Sequence, residues 1–218
     1  MKRTIGVLVA GALAMGLMVA PASAAAKAKL WVLHGVPGAK VDVCVNGSEV
    51  KSNFTYKQKF SADLPAGTYK VRVRAASAGE CMGDVILKAN PELKAGKNYT
   101  AVAGLDAAGS PELFLYKNDV SRTDGKNARV SVRHTAAAPK VDVWVNGSKL
   151  LKGLPNGGSR TLQVPANAYT VKVAPKGTTT VVIGPRTFDV KANNAYQIYA
   201  TGNGDAGYIF QVLAQPVK

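Results

Sequence analysis

His34 and His134 are the two imidazoles of the chain, and they are where acid–base chemistry would be sought. A serine–histidine–acid triad needs a nucleophile and a carboxylate placed against the ring. No Gly-x-Ser-x-Gly turn accompanies either histidine. The two stand one hundred residues apart in matching surroundings, each at the end of an apolar run before a turn. That recurrence predicts a structural role, with a ring nitrogen bonding a turn carbonyl. Asp42 and Asp142 recur in the same way, each a single acid between valines. They read as surface residues or turn-anchoring acceptors, not as the paired carboxylates of a hydrolase. Metal chemistry lacks a ligand set: there is no His-x-x-His, no cysteine cluster and no calcium loop with serial carboxylates. Asp205, in a glycine-rich stretch, reads as part of a hairpin. Neither an enzyme nor a cofactor is expected.

One binding site is worth stating. If Val141, Val143 and Val145 face a core, Trp144 points the other way, beside Lys140 and Lys149. An outward tryptophan among lysines would stack on a sugar ring or meet a partner protein. The equivalent residue a hundred positions earlier is Cys44, so the same phase puts that cysteine on the outer face. Were Cys44 inward, Trp144 would be core and the site would vanish.

The elements behind these residues come from a duplication. Residues 40–48 read KVDVCVNGS and residues 140–148 read KVDVWVNGS. Leu64-Pro65-Ala66 and Tyr69 match Val164-Pro165-Ala166 and Tyr169, and Tyr99 matches Tyr196 after a three-residue shift. Alternating valines predict half-buried strands, and Asn46-Gly47 and Asn146-Gly147 predict tight hairpins. Strands are expected near Lys29–His34, Val41–Val45, Phe54–Phe60, Tyr69–Arg74, Asp84–Lys88, Tyr99–Ala103 and Glu112–Tyr116. About seven per copy, at this spacing, predict an all-β chain of two tandem β-sandwiches. The copies are placed at 27–117 and 128–218, as beads on a polar linker at 118–127.

Residues 1–24 carry Lys2 and Arg3, an apolar run and Ala22-Ser23-Ala24, the pattern of a cleaved secretory signal. A secreted protein, free or associated with the cell wall, is expected, with no transmembrane segment after signal removal. Export suits one intradomain disulfide between Cys44 and Cys81. The second copy holds Trp144 and Val181 at those positions, so the bond would be a dispensable staple. The net charge is +15, or +13 without the leader's two basic residues. Residues 126–218 hold 12 Lys or Arg against Asp142, Asp189 and Asp205. Such a surplus favours an anionic cell-envelope polymer or glycan. Nucleic acid is not expected for an exported chain.

Taken together, His34, the Val41–Gly47 segment and Leu64-Pro65-Ala66-Gly67-Thr68-Tyr69 resemble domain-of-unknown-function family 4397. The second copy is similar through Arg133-His134, Val141–Gly147 and Val164-Pro165-Ala166, departing at Asn167-Ala168, where glycine is usual. The resemblance implies immunoglobulin-like β-sandwiches in exported bacterial proteins and no defined activity. The expected function is non-enzymatic binding or adhesion at the cell surface, with another surface protein as a possible partner class. The alternative is a carbohydrate-binding module built on Trp144. An enzyme or inhibitor with sites on loops is a third class, since sandwiches host many activities.

Overall fold

The computed structural model describes residues 26–76 and 80–218, so the leader assigned to 1–24 lies outside the described residues. The first copy comprises β1 (Ala28–His34), β2 (Lys40–Val45), β3 (Ser48–Thr55), β4 (Lys59–Leu64), β5 (Gly67–Thr68), β6 (Val71–Ala75), β7 (Val85–Ala89), β8 (Glu92–Leu93), β9 (Asn98–Leu105) and β10 (Pro111–Asn118). The second comprises β11 (Asn127–His134), β12 (Val141–Val145), β13 (Ser148–Leu154), β14 (Ser159–Pro165), β15 (Asn167–Pro175), β16 (Ile183–Val190), β17 (Asn194–Asn203) and β18 (Gly207–Pro216). Among the described residues there is no helix.

Each copy is a sandwich of two four-stranded sheets. The first has the orders β10-β9-β1-β4 and β3-β2-β6-β7, and the second repeats them as β14-β11-β17-β18, read from the other edge, and β13-β12-β15-β16. β1 runs parallel to β9, and β11 parallel to β17, while every other pairing is antiparallel. The layering is that of an immunoglobulin-like sandwich, but the strand order is its own. In an immunoglobulin constant domain the first strand shares a sheet with the second, fourth and fifth; here it pairs with the fourth and the penultimate. The short β5–β8 pair continues β6 and β7, and the second copy merges these pieces into β15 and β16.

Each sandwich therefore has four strands per sheet, one strand more than the seven expected per copy. The segment 54–60 does not run as one strand. Lys57 adopts φ 73°, and the amide of Gln58 donates to the Thr55 carbonyl, which turns the chain between β3 and β4. The Asn-Gly hairpins form as anticipated, with φ of 53° and 91° at Asn46 and Gly47 and of 50° and 82° at Asn146 and Gly147. Val41, Val43, Val141 and Val143 are buried between the sheets.

The linker spans the gap between Asn118 and Asn127, but the copies are not beads. The sheet containing β1 and the sheet containing β11 bury their outer faces against each other. Leu33, Val102 and Phe114 from the first copy meet Tyr199 and Leu213 from the second. Backbones touch as well: the Leu105 amide donates to the Thr135 carbonyl at 3.1 Å. A Cβ on Gly104 would lie 2.8 Å from that same carbonyl, so this close approach requires glycine. The result is four stacked sheets.

Candidate functional site

Residues present in both copies resolve into fold locks. Asp42 and Asp142, each 2 % exposed, lie beneath a bulge where the β2–β3 and β12–β13 registers slip. Asp42 Oδ1 accepts the Asn53 amide, and Asp142 Oδ1 accepts the Gly153 amide, both at 2.8 Å. These donors sit in left-handed backbone and have no ladder partner, so the carboxylate supplies one. The turn-anchoring expectation holds and the surface placement does not. Asn46 and Asn146 accept the amides of Lys70 and Thr170. The hydroxyls of Tyr69 and Tyr169 donate to the carbonyls of Pro65 and Pro165. The hydroxyls of Tyr99 and Tyr196 accept the amides of Lys94 and Lys191.

The histidines are equally structural. His134 Nε2 donates to the Pro139 carbonyl at 2.8 Å, the turn-carbonyl bond anticipated. His34 instead uses Nδ1 to accept the Val36 amide at 3.3 Å, and its ring meets Phe54 edge-on. Burial lowers the pKa of both rings, that of His34 to about 4. No serine or carboxylate hydrogen bonds to either ring among the described residues.

Features held by one copy only remain as candidates. Trp144 points away from the sandwich core, as the alternation implies, and is half-buried. It stands in a cross-strand row with Lys149 on β13 and Lys172 on β15. Their ammonium groups lie 5.0 and 5.2 Å from the ring centroid, within cation–π range. The indole Nε1 is enclosed and has no hydrogen-bond partner. Lys149 also binds Asp142 Oδ2 at 2.6 Å. That bond, aided by the Gly177 and Gly153 amides and opposed by burial, draws the Asp142 carboxyl down to about 2. Lys140 is exposed at the start of the strand, four residues away or about 13 Å along an extended chain. The structure thus unites Trp144 with Lys149 and puts Lys172 beside the ring, where the sequence suggested Lys140.

At the matching place in the first copy, Cys44 is bonded to Cys81 and is 2 % exposed. The bond clips the outer face of its sheet, with Arg74 Nη1 donating to the Gly83 carbonyl beside it. Val181, aligned with Cys81, is exposed in the second copy's corresponding loop.

Arg133 is a residue that sequence reasoning passed over as a site. It is 2 % exposed and sits between the copies, where the first copy has Leu33. Its guanidinium donates to Tyr199 Oη at 2.5 Å and to Asn118 Oδ1 at 2.7 Å, and lies 4.4 Å from the Tyr116 ring. Burial pushes the Tyr116 and Tyr199 hydroxyls well above the usual phenol range, against the pull of this cation. The cluster joins the halves, with Arg133, Asn118 and Tyr199 all buried. Among the described residues no group of histidine, cysteine or carboxylate side chains could hold a metal ion.

No curated protein matches the chain. The family described as Domain of unknown function (DUF4397) matches residues 28–143 and again 135–217. Tandem copies of one unit, seen in both sheets and locks, are what two such matches require, and the chain belongs to the DUF4397 family.

Proposed function

We propose that this protein is an exported, non-enzymatic binding module that associates with an anionic polymer of the cell envelope through its second copy. The carrying observation is charge that the fold leaves unneutralised. Three ion pairs occur among the described residues, and only Arg129 and Lys149 of the 12 basic residues in 126–218 take part. Apart from Arg133, buried in the seam, the remaining cations project a field that attracts polyanions. The Lys149–Trp144–Lys172 row adds a flat, half-buried aromatic between two ammonium groups. Export is supported by the disulfide, which persists in oxidising compartments, and by the leader-like pattern of residues 1–24.

Retention of the mature protein on isolated, teichoic-acid-bearing wall, followed across a salt series, tests this reading. Binding at low salt that weakens steadily as screening shortens is expected. Absence of retention at low salt would overturn it. A carbohydrate module centred on Trp144 is the second reading, favoured by an indole that points away from the sandwich core and is only half-buried. Trp144→Ala would then abolish glycan-array binding, whereas the polyanion reading expects a partial loss of wall retention.

A further inference from the structure

The two sandwiches differ inside. In the second copy the core is one continuous cluster, running from Ala128 to Phe210. In the first it is split into a patch around Leu30 and Tyr99 and another around Val41 and Phe54. Between them lies an apolar cavity of about 300 Å³, against about 60 Å³ at the same place in the second copy.

Strand register explains the difference residue by residue. Ala103 pairs with Leu113 and Ala101 with Leu115; their counterparts pair Ala200 with Phe210 and Ile198 with Val212. Thus Ala101 and Leu113 replace Ile198 and Phe210. Ala62, opposite Leu30, replaces Leu162, opposite Val130. Pro91, bonded through its carbonyl to the Tyr69 amide, stands where Phe188 faces Tyr169. One fold fills its centre with side chains in one copy and leaves it open in the other.

We propose that the first sandwich binds the hydrocarbon tail of a single-chain amphiphile between its sheets. Of the lining residues, only Asn90 has a polar side chain, so nothing inside would recognise a polar group. Val50 on β3 and Leu115 on β10, strands at opposite edges of the sandwich, line the cavity and are 49 % and 43 % exposed, so its rim meets solvent and a head group can stay in water. A cavity of ~150 Å³ accommodates one benzene. Twice that volume accommodates a chain on the order of ten to twelve carbons by the same scaling. The site is independent of the charged face of the second copy.

Calorimetric titration of the mature protein with dodecanoate and with dodecanol tests the proposal. Both should bind one per chain, with affinity rising by up to about fourfold per methylene across an octanol-to-dodecanol series. The variant Ala62→Leu/Ala101→Ile/Leu113→Phe, which copies the second sandwich, should lose binding by about tenfold or more. Its melting temperature should match or exceed that of the parent. If that variant does not melt cooperatively, Ala101→Ile alone and the chain-length series decide the matter. Binding of dodecanoate without dodecanol, undiminished by the filling substitutions, would mark surface pairing with the basic chain and overturn the proposal. So would failure of the parent to bind either compound, or affinity independent of chain length.

Discussion

Asp142 shows how a recurring polar residue earns its place. Its carboxylate serves the bulge amide of Gly153, the Gly177 amide and Lys149 at once. Asp142→Ala would strand buried donors, and a loss of roughly 2–4 kcal/mol in urea unfolding is expected. An unchanged midpoint would contradict the lock. Protonation tests the histidines in a separate window. The unfolded chain protonates His34 near 6.5 while burial holds the folded ring at about 4, so the unfolded state binds more protons between those values. The associated stability, about 3 kcal/mol, is complete above pH 6.5 and lost as pH falls toward 4. Burial lowers the His134 pKa and makes it contribute in the same direction. For Asp142 the stability is present above the unfolded carboxyl value and is lost only as pH falls toward 2. Urea unfolding between pH 7 and pH 4.5 should show the histidine slope, and His34→Leu should flatten it; equal slopes would refute the assignment.

Strands and their registers account for what could and could not be read from the chain. The alternation of Val41–Val45 and Val141–Val145 carries its own period, so both strands and the outward phase of Trp144 were legible. Lys172 beside that ring was not, because the neighbour across a sheet is set by register between strands far apart in sequence. The turn at Lys57 was hidden inside an aromatic-bounded run, Phe54 to Phe60, that mimics a strand. The cavity was invisible for a related reason: Ala101 and Leu113 look like ordinary core residues until their counterparts Ile198 and Phe210 are seen in register. The same comparison gives the disulfide a reason. It closes a sequence separation of 37 in the copy whose core is divided. Chain-entropy arguments assign such a loop about 3–4 kcal/mol. Cys44→Ser/Cys81→Ser should lower unfolding stability by that amount, measured by calorimetry, and an unaltered melting temperature would argue against the staple.

At the scale of the whole molecule, the back-to-back packing of β1, β9 and β10 on β11, β17 and β18 makes two sandwiches one body. β9 and β17 are buried on both faces, and their sequences, NYTAVAGL and NAYQIYATGN, carry no charged residue on either side. That absence was the available sign of docking. Among the described residues Arg133 has no carboxylate partner in the seam, where it is held by Asn118, Tyr199 and two aromatic rings. Docking fixes the cavity of one copy and the basic face of the other in a single frame, so a wall polymer and an apolar chain would be held at a set distance. Small-angle scattering of the mature protein tests this most directly. A compact body of this length has a radius of gyration of about 16 Å, and two separated globules would exceed roughly 20 Å. The account predicts the smaller value for the parent and an expanded one for Gly104→Val, whose added carbons would meet the Thr135 carbonyl. An expanded parent, or a Gly104→Val variant as compact as the parent, would contradict it.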